Sequence, residues 1–408
     1  MKIFKKINLW LVIIMAVLSL IIPACGGGGG GGGSSNNSSG SGSAGSGFSG
    51  TQNMQNDTSS DTSDAVTDRP FTAHTITTDA TGARFVYAAD MDGDGDMDVL
   101  SASADDNTIA WYQNDGSQNF TAATISVNAR GAHAVHAADL DGDGDMDALS
   151  ASTKDDKIAW YENDGAQNFT AHSIATDADK AHSVFVADVD GDGDNDVLSA
   201  SQEDKKIAWY ENDGGQNFTT HIISTDADLA KAVQAADLDK DGDVDVLSAS
   251  WNDDKIAWYE NDGAQNFTAH TITTDADDAR SVYAIDLDAD GDIDALSGST
   301  ADGKVAWYEN DGSGSFTTHI ITADAKSVRS VYAADIDGDN DMDVIANAQE
   351  SNVVWFENDG LQNFTMQTIN TEALTVVTIF AADVDGDGDV DVLSASQDDN
   401  KIAWYENL

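Results

Sequence analysis

The chain has 408 residues and a formal charge of −54, from 73 acidic against 19 basic side chains, with one Cys and two Pro. That charge argues against nucleic acid as a partner, because phosphate backbones are met by basic surfaces. A single Cys excludes an intramolecular disulfide framework, so core burial and bound metal must hold the fold.

The first 25 residues have the layout of an export signal. Lys2, Lys5 and Lys6 form a basic start, Ile7 to Ile22 an apolar run, and Ile22-Pro23-Ala24-Cys25 a small-residue cleavage site. That last stretch resembles the lipobox of bacterial lipoproteins, with Pro23 an unusual choice and Cys25 where the lipidated residue would stand. The resemblance implies export and a membrane contact made only through a lipid anchor on Cys25. Gly27, where an Asp would signal inner-membrane retention, points to outer-membrane or cell-surface display. Ordinary secretion is the first alternative and an uncleaved anchor the second, since the apolar run is short for a span. From residue 26 to 69 a glycine run gives way to Ser, Gly and Asn, with almost nothing apolar to bury, which is the composition of a flexible tether.

From residue 70 to 408 the chain is periodic. An Asp-rich run begins at Asp90, Asp139, Asp188, Asp237, Asp286, Asp335 and Asp383, at intervals of 49 residues five times and then 48. Trp111, Trp160, Trp209, Trp258, Trp307, Trp355 and Trp404 keep step, as do Phe-Thr pairs from Phe71 to Phe364. Within one unit, Ser281 to Ile285, Asp294 to Gly298, Lys304 to Tyr308 and Phe316 to Ile321 are short β-rich segments separated by Asp, Gly and Asn turns. Four-stranded units of this length, repeated seven times, predict an all-β, seven-bladed β-propeller with four antiparallel strands per blade. The periodic region begins with an outer strand, residues 71–78, and ends after a third strand. Pairing 71–78 onto 401–406 would close the ring and remove an exposed edge. One Trp per blade at a fixed register, with Tyr112 and its equivalents beside it, is what packing between blades requires.

The first Asp run, Asp90-Met-Asp92-Gly-Asp94-Gly-Asp96-Met-Asp98, puts a carboxylate on every second residue. An EF-hand loop draws calcium ligands from side chains at positions 1, 3 and 5 and from a main-chain carbonyl at position 7. Position 1 is the set of seven starting Asp residues given above. Position 3 is Asp92, Asp141, Asp190, Asp239, Asp288, Asp337 and Asp385, and position 5 is Asp94, Asp143, Asp192, Asp241, Asp290, Asp339 and Asp387. Position 7 is Asp96, Asp145, Asp194, Asp243, Asp292, Asp341 and Asp389. Position 9 is Asp98, Asp147, Asp196, Asp245, Asp294, Asp343 and Asp391, in place of the Glu that an EF-hand carries at 12. Unit charges 4 Å apart repel by about 1 kcal/mol in water and several-fold more near a protein surface. Loops this dense in Asp therefore predict up to seven Ca2+ ions, one per blade, rather than solvated acidic turns. Magnesium is disfavoured by its rigid octahedral demand. Position 6 is Gly in six loops and Asn340 in the other, where the bend needs positive φ. Lys240 and Ala289 replace Gly at position 4, and those two loops are expected to bind more weakly.

These loops look like those of the FG-GAP and VCBS repeat family, which includes the propellers of integrin α-chains. The match runs from Arg84 to Leu408, with the strand at Phe71 permuted. The resemblance implies calcium between the first and second strands of each blade, held by Asp90, Asp92, Asp94 and Asp98 and their repeats, with Asp96 at the backbone-carbonyl position. All seven loops look competent here, whereas integrin propellers use only some.

The resemblance also implies that ligands meet the face opposite the Asp loops. Six residues before each loop stand Arg84, His133, His182, Lys231, Arg280 and Arg329, with Val377 the exception. A second basic series, Lys157, Lys206, Lys255, Lys304 and Lys401, falls on the same face. The simpler expectation is that these cations balance neighbouring Asp pairs such as Asp155-Asp156 and Asp253-Asp254. The alternative is an anion-attracting mouth for an acidic glycan or an acidic protein loop. Trp251 is the one propeller Trp off the repeat, and as an exposed ring it would stack on a sugar or else reflect drift in a loop. His74, His172, His221, His270 and His319 share one outer-strand register and read as repeat structure. His133, His136 and His182 are less regular, yet lack the patterned carboxylate of an acid-base site. The expected function is a surface-displayed binding or adhesion module for a glycan or protein, with calcium structural and no catalytic residues. A sugar-acting lyase or dehydratase and a structural spacer are the alternatives.

Overall fold

The computed structural model describes residues 71–349 and 351–408. The export signal, the Cys25 anchor and the tether lie outside the described residues.

Among the described residues, twenty-eight strands form seven four-stranded antiparallel sheets. In the first blade they are Ala83–Ala89, Asp98–Ser103, Thr108–Asn114 and Phe120–Ser126, running from the inner edge outward. Every residue of each second strand is buried, because both faces of a blade pack on neighbours. The short Ala, Ser, Val and Leu side chains found there suit two close-packed faces. Outer strands instead carry several exposed positions, as at Thr121 to Thr124.

The seventh blade joins the two ends of the periodic region. Its inner three strands are Val376–Ala382, Asp391–Ser396 and Lys401–Asn407, and its outer strand is Phe71–Thr77. Phe71 lies opposite Asn407 and His74 opposite Trp404, so the ring closes as the repeat order predicts.

The hydrophobic core lies between blades. Leu100, Ile109 and Trp111 of the first blade pack with Val135, Ala148 and Tyr161 of the second. Leu393, Ile402 and Trp404 of the seventh pack with Val86, Val99 and Tyr112 of the first. The Trp and Tyr of each third strand thus point to opposite neighbours, as alternation along a strand dictates. Each buried Tyr hydroxyl needs a partner, and Tyr112 finds Ser101 at 3.2 Å. In the sixth blade both members of that pair change together, to Phe356 and Ala346, leaving no orphaned hydroxyl.

The sixth blade departs from the repeat in a second way. Asn347 Oδ1 accepts the N–H groups of Arg329 and Ser330, at 2.7 and 3.0 Å. The inner strand is accordingly shorter, Val331–Ala334. Val328 replaces the Ala that precedes the basic position in the first five blades, and the facing residue in the fifth blade is Gly298 rather than Ala. A Cβ at 298 would lie 2.6 Å from Val328 Cγ1 and 2.9 Å from Val331 Cγ1. Gly298→Ala is expected to destabilise by about 1–3 kcal/mol through overpacking. Val328→Ala in the same chain should restore most of the loss in a thermal melt, and a G298A protein that melts like wild type would refute this packing.

The register of the inner strands carries the feature that matters most for a site. Ala83 lies opposite Ser103 and Phe85 opposite Ala102, so Arg84 has no cross-strand partner. The same one-residue bulge isolates His133, His182, Lys231, Arg280 and Val377. A bulge turns the extra residue out of the pleat and re-aims its side chain.

Candidate functional site

The two ends of the inner strands carry opposite charge. At one end are the Asp loops, and at the other the bulged basic residues.

Each Asp loop is wound around its own carboxylates. The position-1 side chain accepts from the position-6 N–H in all seven loops, as Asp90 Oδ2 does from Gly95 at 3.0 Å. The position-5 side chain accepts from the position-7 N–H, Asp94 from Asp96 at 3.0 Å. Position 6 has φ between 91° and 100° wherever it is Gly, and Asn340 eases to 75°. Lys240 and Ala289 at position 4 take φ near 60°, a left-handed conformation that disfavours a side chain.

Position 9 does two jobs. Asp98 is fully buried; its Oδ2 accepts from Met91 N–H at 3.1 Å and its Oδ1 from Asn114 N–H at 2.8 Å. Burial pushes the metal-free carboxyls of Asp98, Asp147, Asp245, Asp294, Asp343 and Asp391 up to about 7, and that of Asp196 to about 6. Position 7 turns its side chain elsewhere: a Cβ on Gly116 would sit 2.4 Å from Asp96 Oδ2, so this carboxylate rests on the Asn-Asp-Gly turn after the third strand.

The donor set suits one hard cation per loop. Carboxylate oxygens of Asp90, Asp92 and Asp94 lie within 4.8 Å of one another, as do those of Asp139, Asp141 and Asp147, and of Asp188, Asp190 and Asp196. The same holds for Asp237, Asp239 and Asp245, and for Asp286, Asp288 and Asp290. Two oxygens bound to one ion at about 2.3–2.6 Å are separated by at most about 5 Å, so each of these groups is close enough to share one. Asp92 Oδ1, Asp188 Oδ1 and Asp237 Oδ1 are buried without a hydrogen-bond partner, which a cation would supply.

A residue type that sequence reasoning missed ties these loops together. Asn163 Nδ2 donates to Met146 O of its own loop at 3.1 Å and to Met91 O of the preceding blade's loop at 3.2 Å. Asn114, Asn212, Asn261, Asn310 and Asn407 repeat the bridge. The available signal was an Asn at a fixed place after each third-strand aromatic pair, polar where the strand otherwise enters the core.

At the opposite end the two basic series part company. Lys157, Lys206, Lys255, Lys304 and Lys401 each form an ion pair with the Asp two residues earlier, at 2.8 to 3.3 Å, so for them the expected balancing of charge holds. Among the described residues, Arg84, His133, His182, Lys231, Arg280 and Arg329 make no ion pair, and for this series the expectation is corrected. The bulge carries the first five of these side chains away from the Asp pairs and toward one another, while Arg329 lies just before its shortened strand. Arg84, His133, His182, Lys231 and Arg280 line a single cavity of about 330 Å³ with Thr153 and Gln202. His133 and His182 have ring centroids 3.6 Å apart. His133 Nδ1 donates to His182 O at 3.1 Å, and His182 Nδ1 to Lys231 O at 2.8 Å.

The crowding is visible in the titration of the group. Burial, with Arg280 and Lys180 adding repulsion, brings the Lys231 ammonium down to about 7. Burial also lowers Arg280 to about 10, helped by Arg329 and Arg84, and holds both imidazoles well below the usual histidine range. Trp251 is half-buried rather than the exposed platform expected: Lys231 Nζ lies 4.2 Å from its ring centroid and Arg280 Cζ 5.8 Å. The ring braces the cations.

The remaining histidines are structural. His74 stacks on Trp404 at 4.5 Å and bonds Glu406 at 2.8 Å, and His172, His221, His270 and His319 repeat both contacts. His136 belongs to an aromatic ring deeper along the axis, 4.4 Å from Tyr87 and 5.5 Å from Phe185.

A search of curated proteins finds no significant match. Among solved structures, BBS1N in complex with ARL6DN aligns over 83% of this chain and 97% of its own, at 10% identity and a TM-score of 0.60. A lectin from Agrocybe aegerita, described with specific recognition of non-reducing terminal N-acetylglucosamine, aligns over 71% of this chain and 81% of its own, at 20% identity and a TM-score of 0.53. The model of the FG-GAP-like repeat matches residues 90–150, 139–199, 188–248, 237–297, 286–346 and 344–394. With its period, its seven blades and its Asp loops all in that register, the chain belongs to the FG-GAP-like repeat family.

Proposed function

We propose that this propeller is a calcium-stabilised binding module, displayed at a cell surface through Cys25, whose ligand is an anionic glycan held at the mouth opposite the Asp loops. Calcium is the ion that the oxygen-only donor set suits best, held by the carboxylates at positions 1, 3, 5 and 9, with position 7 offering its main-chain carbonyl. Its role is structural, since the loops lie at the far end of the inner strands from the mouth.

The observation that carries the reading is the convergence of five basic side chains, Arg84, His133, His182, Lys231 and Arg280, none in an ion pair, within a chain of net charge −54. Buried cations without a counter-ion are unfavourable, and a bound anion relieves them. A cleft of one sign also raises the local concentration of oppositely charged ligand. Recognition is favoured over turnover because both imidazoles have Nδ1 committed to main-chain carbonyls.

A glycan array spanning neutral, sulfated and carboxylated sugars, probed with calcium-loaded protein, tests this. Acidic glycans should be retained at least ten-fold better than neutral ones, with retention lost in the Arg84→Gln/Arg280→Gln variant. A preference for neutral glycans, or a double variant that binds like wild type, would sink the reading.

A further inference from the structure

The position-9 carboxylates of neighbouring blades are joined by a relay of hydrogen bonds. Asp98 Oδ2 accepts from Met91 N–H at 3.1 Å, Met91 O accepts from Asn163 Nδ2 at 3.2 Å, and the N–H of the same Asn163 donates to Asp147 Oδ1 at 2.8 Å. The relay continues from Asp147 through Leu140 and Asn212 to Asp196, with bonds of 3.0, 2.8 and 2.7 Å. Asn261 and Asn310 carry it on to the fourth and fifth blades. Asn407 and Asn114 carry it from the sixth blade through the seventh to the first.

A second, exposed arm reaches position 3 at some of the same junctions. From the turn after the third strand, Gln118 donates to Asp385 of the preceding blade at 3.3 Å, Gln167 to Asp92 at 3.2 Å and Gln216 to Asp141 at 3.2 Å. The junction of the fifth and sixth blades is the exception. Asn358 holds the same place in the repeat and keeps the bond to Met342 O of its own loop, yet among the described residues it makes none to Leu287 O of the fifth blade. Gln362 and Asp288 are there part of the lining of a cavity of about 530 Å³. The relay is therefore an open run through seven loops, from the sixth blade round to the fifth, with one gap.

Resting on the calcium reading above, we infer that the relay couples the ion sites, so that filling one loop raises the affinity of the loop on the next blade and calcium enters the ring cooperatively. Asn163 and its equivalents are positioning residues. Their side-chain amides bond main-chain carbonyls and act on the ion site through the position-9 carboxylate. An ion that orders one loop also fixes Met91, Asn163 and with them Asp147, so part of the ordering cost at the second site is already met when the second ion arrives. Hydrogen-bonded partners behind a ligand change metal affinity by about 10–100-fold, and by linkage the coupling runs in both directions along the relay. Repulsion between neighbouring ions opposes it, and physiological salt screens that repulsion beyond about 8 Å.

Equilibrium dialysis of the full, calcium-stripped chain against radiolabelled calcium counts the ions bound at each free concentration. With a coupling of about ten-fold per link, a linked run of seven sites gives a Hill slope of about 2–2.5. Asn163→Ala combined with Asn261→Ala cuts the run into three, two and two loops and should lower the slope by about a third. Asn358→Ala removes the same own-loop bond but no link, and should leave the slope unchanged. An Asn that only supported the fold would lower the melting temperature without flattening the isotherm. Melts in saturating calcium show whether each variant is folded, and the wild-type slope needs no variant. Calcium binding with a wild-type slope at or below one, an unaltered slope in the double variant, or an equal loss in Asn358→Ala overturns the coupling and leaves the calcium reading standing. A chain that retains no calcium overturns both.

Discussion

Deleting residues 69–79 is expected to lower the melting temperature of the calcium-loaded protein by about 10 °C or more. The segment contains the whole outer strand of the seventh blade, paired from Phe71 opposite Asn407 to Thr77 opposite Ile402. With it go the stacking of His74 on Trp404 and the bond from His74 to Glu406. Ile76, which packs against the core shared by the seventh and first blades, is lost as well. Net contributions of about 0.5–1.5 kcal/mol per lost hydrogen bond, with the burial of Ile76 adding about 1.5–3 kcal/mol, exceed what most single substitutions cost. The deletion also bares the edge of Lys401–Asn407, a row of unpaired main-chain groups facing solvent, so the truncated protein should aggregate more readily on heating. An unchanged melt by circular dichroism would show that the ring does not depend on this strand.

Chelation is expected to have an effect of similar size. A ligand that binds only the folded state, present at 100 times its dissociation constant, contributes about 2.7 kcal/mol per site, and several loops share the dependence. The melting temperature should fall with excess EDTA and return with calcium. A melt indifferent to both would remove the metal from the account. The pH response distinguishes the two forms. In metal-free protein the carboxyls of Asp98, Asp147, Asp245, Asp294, Asp343 and Asp391 sit near 7 when folded, against about 3.9 when unfolded. Between those values the folded chain holds more protons than the unfolded one, so stability falls as pH rises through the window and recovers as pH falls toward 5. With calcium bound the ion takes the place of the proton, and acidification should instead destabilise by releasing the metal. Melts from pH 5 to 8 with and without EDTA should therefore slope in opposite directions, and parallel slopes would refute the assignment of the buried Asp residues to the loops' ion site.

Much of this was legible because it is local. The 49-residue period counts the blades, and the order of Asp run, Trp and Phe-Thr pair places four strands in each and predicts that 71–78 pairs with 401–406, as Phe71–Thr77 and Lys401–Asn407 do. The ion pairs of the Lys157 series join residues two apart, within reach of sequence reasoning. The error over Arg84 and its equivalents had one cause: a bulge is a mismatch between two strands, and neither strand alone encodes it. Trp251 looked exposed for a related reason, because the ammonium that covers it comes from a residue 20 positions earlier at another bulge.

By itself the sequence determined the all-β repeat, the number of blades, the closing strand and the ladders of carboxylates, since period, alternation and turn residues act over a few positions. Only the tertiary structure decided that Asn163 joins two loops, that Tyr87 and Phe380 meet between neighbouring blades, and that five basic residues from five blades line one mouth. The contacts that make a site here run between blades, at separations of one repeat or more. Such contacts exist only once the ring has brought equivalent positions around a common axis.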